Sequence, residues 1–177
     1  PAHSVPPQMA RQKFKNFEEF SALWPECSFV FVGDNGQGDV RVGELMLSGK
    51  GENGRKMAES VDAVFIHVVQ PIEATPGYSP SAAKRWKDLG IIFFKTYVGL
   101  VVDACKQGLL PVESIFRVAA SASEEFERTE FGSEADRSLQ RLQLNRDLTK
   151  ANDFIHDIRQ GDQSSDSGLS SSGDDSD

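Results

Sequence analysis

The chain predicts an α/β protein with a Rossmann-like parallel sheet, partial in extent and followed by a helical C-terminal extension. Two apolar runs carry that prediction, residues 28–33 (Ser28-Phe-Val-Phe-Val-Gly33) and 61–69 (Val61-Asp-Ala-Val-Phe-Ile-His-Val-Val69). Both are short, rich in Val and Phe, and free of the polar alternation of a half-solvated strand, so both read as buried strands. Segments of helical period precede the first run and separate it from the second. A helix–strand–helix–strand order implies parallel strands joined by right-handed crossovers.

Residues 1–8 (Pro-Ala-His-Ser-Val-Pro-Pro-Gln) form an irregular lead-in. From Met9 to Leu23, Phe14, Phe17, Phe20 and Leu23 recur at threes, which predicts a helix with one apolar stripe ended by Pro25. The strand at 28–33 follows. Asp39 is expected to cap a helix through Ser48 whose apolar positions are Val40, Val42, Leu45 and Met46. A glycine-rich link, 49–54, leads to the second strand.

Pro71 to Ser81, with three prolines and a glycine, is expected to be a loop, and Ile91–Phe94 a short third strand. Helices are expected from Thr96 to Lys106, stopped by Gly108, from Pro111 to Arg128, and from Glu134 to Arg159. Residues 161–177, nearly all Ser, Asp and Gly, cannot bury enough apolar area to offset their ordering entropy and are expected to be a disordered acidic tail. In that tail Ser171 and Ser172 each have an Asp three residues on, a pattern common in Ser/Asp-rich sequence. The expected organisation is therefore lead-in 1–8, one domain 9–160 and tail 161–177.

At 177 residues the chain is long enough for one real core. Its formal charge is −8, and the five acids of 161–177 account for five of those charges. No basic stripe is present, which argues against a nucleic-acid partner. Cys27 and Cys105 stand in apolar contexts without metal-ligand spacing and read as buried free thiols in a reducing compartment. No apolar stretch approaches the roughly 20 residues that cross a bilayer. The expectation is a soluble, cytoplasmic protein. Pro1, in place of an initiator Met, predicts that the chain is a fragment or a processed piece.

The candidate chemistry lies where the first strand stops. Gly33-Asp34 ends it, a turn with two more glycines follows, and a second carboxylate stands at Asp39. Open α/β sheets present ligands at the carboxyl ends of their strands, and two carboxylates there suit an oxygen-liganded divalent cation such as Mg²⁺. The plainer reading is a strand stop and a helix cap. The segment is not an EF-hand, because the loop's sixth and twelfth positions would be Asp39 and Leu45 instead of Gly and Glu. It lacks the dinucleotide fingerprint, and no Gly-Lys-Ser/Thr makes a Walker loop. His67 reads as a packed strand histidine, and Thr96 as a helix cap.

Taken in order, Lys13, Phe17 and Phe20 on one helix, Trp24-Pro25, Phe29-Val-Phe-Val-Gly-Asp34, Gly36 and Asp39 resemble the actin-patch type phosphatidate phosphatases. Their catalytic domain is a haloacid dehalogenase-like phosphohydrolase. The resemblance covers residues 11–70, and 90–110 more loosely through Phe94-Lys-Thr-Tyr97 and Gln107-Gly-Leu109. It implies Mg²⁺ as cofactor and phosphatidic acid, or another phosphomonoester, as substrate, with peripheral membrane contact in the full protein. It assigns Lys13 to the lysine that contacts the phosphoryl group and the attacking carboxylate, and Asp34 and Asp39 to the metal. Asn35 and Gly36 shape the phosphate loop, Gly36 by a positive φ.

Two parts of the family pattern are missing, and the second, a Ser or Thr at a strand end, is not visible in the chain. No apolar strand in this chain ends in Asp-x-Asp-x-Thr/Val, the motif whose first Asp attacks phosphorus, and Asp174-Asp175-Ser-Asp177 lies in the tail. Covalent phosphoryl transfer needs that nucleophile in line. The chain is thus expected to be the C-terminal portion of such a domain, inactive alone and with a sheet edge uncovered. Alternatives are a catalytically inactive binding or regulatory module of the same fold, or a relative acting on a soluble phosphomonoester.

Overall fold

The computed structural model describes residues 7–49 and 58–166. Its elements run α1 (Pro7–Leu23), β1 (Phe29–Asp34), α2 (Asp39–Ser48), β2 (Val61–His67), α3 (Pro80–Asp88), β3 (Ile92–Phe94), α4 (Tyr97–Lys106), α5 (Glu113–Arg128) and α6 (Glu134–Asp166). Short 3₁₀ turns occur at Ala58–Ser60 and Ile72–Ala74. The chain divides into two compact units, 1–95 and 96–177.

The first unit is an α/β layer built on a three-stranded, wholly parallel sheet in the order β1-β2-β3. Phe31, Val64, Ile66 and Phe93 point to one face, where they pack with Ala10 and Phe14 of α1, Val40, Val42 and Met46 of α2, and Trp86 of α3. The register pairs Asp34 with His67 and His67 with Phe94, so these three residues form one row at the carboxyl rim.

α1 does not bury the stripe its threefold spacing predicts. Phe14 is buried and Phe17 half-buried, but Phe20 is 52% and Leu23 73% exposed. A helix turns about 100° per residue, so nine residues carry Leu23 to the side opposite Phe14. The face that packs instead follows the 4-3-4 spacing of Ala10, Phe14, Phe17 and Ser21.

Two expectations for the middle of the chain are corrected. The segment expected to be loop at 71–81 contains the 72–74 turn, and α3 begins at Pro80. Ser79 accepts a hydrogen bond from Ala82 N (3.0 Å) with Pro80 at the first helical position, a start signal legible in the sequence but not read there. Cys27, expected to be buried, is exposed, while Cys105 is buried.

β1 is an edge strand, and alternate residues on it, Val30 and Val32, are 47% and 49% exposed. Its uninterrupted apolar composition belongs to a strand covered on both faces.

The second unit packs α4, α5 and α6 around Val98, Val101, Val102, Ile115, Leu144, Ala151 and Ile155. Thr96 caps α4, accepting from Gly99 N (3.1 Å) and donating to the buried Asp147 carboxylate (2.7 Å). α6 runs past Arg159 to Asp166, so residues 161–166 of the tail expected to be disordered are helical, while 167–177, with Ser171 and Ser172, lie outside the described residues. No helix among the described residues is long and apolar enough to cross a membrane.

Candidate functional site

β1 delivers Asp34 to the carboxyl rim as its last residue. The chain then needs to reverse within four residues and start α2, and Gly38, at φ 86°, makes that turn where a side chain would be strained. Gly36 is not at positive φ, contrary to expectation. Its amide donates to Asp34 Oδ1 at 2.7 Å, and a Cβ at this position would stand 3.1 Å from that same oxygen. Close approach to the carboxylate is therefore what position 36 requires.

Asp39 is the first residue of α2 and not its cap. Gly38 occupies the cap position, and no side chain caps this helix end. The Asp39 carboxylate turns back over β1. Its Oδ1 receives Lys13 Nζ from α1 at 2.5 Å, and its Oδ2 accepts from Asp34 N at 3.3 Å. Gly33 is the residue that makes room, since a Cβ there would lie 2.6 Å from Asp39 Cβ. The helix start favours a negative charge at position 39, and the ammonium of Lys13 neutralises it. The Lys13 side chain is 40% exposed and that of Asp39 only 11%, so the pair has one wet end and one dry end.

Three of the residues singled out in the sequence, Lys13, Asp34 and Asp39, thus meet at one point of the rim. Asn35 is brought there too, but its side chain faces inward. It is 0% exposed, with Nδ2 donating to Gln70 O (2.9 Å) and Thr75 Oγ1 (3.0 Å) and Oδ1 accepting from Val69 N (2.9 Å) and Gln70 N (3.2 Å). Its hydrogen-bonding capacity is filled within the protein. His67 is at the end of β2, not mid-strand; its ring stacks on Phe94 (centroids 5.0 Å apart, 9° between planes), and its Nε2 is 3.3 Å from Lys95 O.

Gln70 and Thr75 were not legible as site residues. They lie 35 and 40 positions from Asn35, and no spacing rule joins them. Glu44 of α2 was also missed. Its buried carboxylate accepts from Arg41 Nη1 (2.9 Å), Arg85 Nε (2.7 Å) and Trp86 Nε1 (3.0 Å), tying α2 to α3.

No group of three or more His, Cys, Asp or Glu side chains suited to a metal occurs among the described residues. The rim offers two carboxylates. Both oxygens of Asp39 are occupied, and among the described residues Asp34 is engaged only through Oδ1, which leaves Oδ2 as the oxygen a cation would meet. Comparison with known proteins adds no relative: no family model, no curated protein and no solved structure matches the chain.

Proposed function

We propose that this chain carries part of the active site of a Mg²⁺-dependent phosphohydrolase of the phosphatidate phosphatase type, on a haloacid dehalogenase-like, Rossmann-like domain. The observation that carries the reading is the meeting of Lys13 Nζ with Asp39 Oδ1, 2.5 Å apart, beside Asp34 at the carboxyl end of a parallel strand. Lys13 of α1 reaches the Asp39 carboxylate of α2, which in turn accepts from the backbone amide of Asp34 in β1, so three separate elements bring these residues to one rim.

The donor set fits Mg²⁺, an ion commonly held by one or two carboxylates while waters and substrate phosphate fill its remaining positions. Asp34 would hold it through Oδ2, with Asp39 orienting the loop. When bound, the ion supplies charge neutralisation at the phosphoryl oxygens. Lys13, a compact cation with three donors, sits where it can leave Asp39 for a phosphate oxygen. The nucleophile lies outside these 177 residues. In the proposed reaction an aspartate carboxylate on a neighbouring strand bonds to phosphorus while the ester oxygen leaves, protonated by a second acid. Water then hydrolyses the acyl phosphate.

A neighbouring strand has a place to lie. β1 has the composition of an interior strand, yet among the described residues no strand pairs with its outer edge, and Val30 and Val32 are half exposed. The substrate class, phosphatidic acid or another phosphomonoester, rests on the sequence resemblance, as does a cytoplasmic protein meeting its substrate at a membrane surface. A second reading, a non-catalytic binding module of the same fold, is favoured by the absence of Asp-x-Asp-x-Thr/Val from these residues.

The test measures phosphate release from phosphatidic-acid vesicles and from a soluble phosphomonoester, each with Mg²⁺. Residues 1–177 alone should release none. The protein with whatever its gene encodes before Pro1 should release phosphate, and Asp34→Asn should lower the rate at least about a hundredfold. Release by 1–177 alone would overturn the missing-nucleophile reading. An inactive longer protein, or full activity in Asp34→Asn, would overturn the phosphohydrolase.

A further inference from the structure

We infer that Asn35 is a positioning residue, fixing the Asp34 carboxylate by locking its loop to the segment Val69–Thr75. The inference rests on the cation reading of Asp34 and assigns Asn35 a role other than touching phosphate. Asp34 is the last residue of β1, and the loop that follows it is held by few contacts of its own. Gly36 and Gly38 contribute no side chains to it, and the Asp34 side chain bonds only the Gly36 amide among the described residues. Something outside the loop therefore has to set where that carboxylate points.

Asn35 does so from both ends of the residue. Its side chain spans Val69 N, Gln70 N, Gln70 O and Thr75 Oγ1, and its backbone amide donates to His67 O at 3.0 Å. The clamp is reciprocal, because Gln70 Nε2 returns to Asn35 O (3.0 Å) and also holds Ala74 O (2.9 Å). Thr75 is itself 3% exposed. The Asn35 side chain, fully buried with every donor and acceptor filled, is rigid, and a side chain one residue away inherits that rigidity. The same clamp brings Val69, 56% exposed, against Gly36, where an added Cβ would meet Val69 Cγ2 at 3.6 Å. The Val69–Thr75 segment is thereby a second wall of the rim.

The experiment uses Gln70→Met and Thr75→Val, which remove partners of the clamp with little change of shape, in preference to Asn35→Ala, which empties the network. Mn²⁺ serves as the probe, its affinity read by electron paramagnetic resonance, and hydrogen exchange of the Gly36 amide is read by NMR. Each variant should raise the Mn²⁺ dissociation constant about tenfold and speed Gly36 exchange by a similar factor, while exchange in the middle of β2 stays unchanged. Affinity and exchange both at wild-type values would overturn the inference. Asp34→Asn distinguishes the two readings. If it binds Mn²⁺ as the wild type does, or if the wild type binds none, the cation reading fails, and Gly36 exchange alone then decides whether Asn35 positions Asp34.

Discussion

Replacing Lys13 by Met removes the cation from a pair whose other half is largely buried. The Asp39 side chain is only 11% exposed, so an unpaired carboxylate would remain in a largely dry place, whereas Lys13, 40% exposed, can rehydrate when it loses its partner. Breaking a buried pair from one side costs about 3–5 kcal/mol. Asp39 keeps the Asp34 amide and the start of α2, so Lys13→Met should cost about 3 kcal/mol, the low end of that range.

Asp39→Asn should cost only about 1 kcal/mol, because it strands a solvated lysine and retains an acceptor for Asp34 N. The double variant removes both charges while keeping both shapes, and should be more stable than Lys13→Met alone, with a coupling of about 2 kcal/mol. Trp24 and Trp86 are the only two tryptophans, and both fall in the first unit, so tryptophan fluorescence in a urea titration reports on that unit alone. Lys13→Met should lower the urea midpoint by at least about 1 M, and Asp39→Asn added to it should recover about a third of the loss. Additive losses, or a double variant less stable than Lys13→Met, would refute the buried pair on which the functional reading stands.

Three further outcomes are expected. Glu44→Ala orphans Arg41, Arg85 and the indole N–H of Trp86 and should destabilise the first unit by about 3 kcal/mol, with Trp86 emission shifting because its hydrogen bond is lost; unchanged emission would count against the contact. Burial pushes the Cys105 thiol pKa up, with the nearby Glu113 carboxylate adding to the effect, and its Sγ donates to Pro111 O at 3.4 Å. At pH 8 a thiol reagent should label exposed Cys27 at least about tenfold faster than Cys105, and equal rates would refute the burial. Since the folded thiol holds its proton more tightly than the unfolded one, its contribution is complete below about pH 8.5 and is lost as pH rises through the folded value. Circular-dichroism melts between pH 8 and 10 should fall less steeply for Cys105→Ala than for the wild type.

The order of helices and strands was legible along the chain because hydrophobic period and breakers are local properties. The apolar runs at 28–33 and 61–69, the short strand near Ile92, and the helices ending at Ser48, Lys106 and Arg128 could each be read from a dozen neighbouring residues. So could the stop at Gly33-Asp34 and the second carboxylate at 39. Where the reading failed, the deciding partner lay elsewhere. Phe20 and Leu23 look like core in an apolar count, but the side of α1 that packs is chosen by α2 and the sheet. Asp39 has the residue type of a cap, yet its carboxylate is drawn back to Lys13 and Asp34 N, and Gly38 holds the cap position.

Local chemistry thus placed the acids on one loop, while long-range contact decided what each does. Asn35 reads as a loop residue in any window of sequence, and it is fully buried only because residues 34, 35 and 40 positions later supply its four partners. Glu44 likewise depends on Arg85 and Trp86, more than 40 positions on. Spacing rules reach only as far as one helix or strand, so a hydrogen-bond network that closes across the sheet leaves no trace in the order of residues.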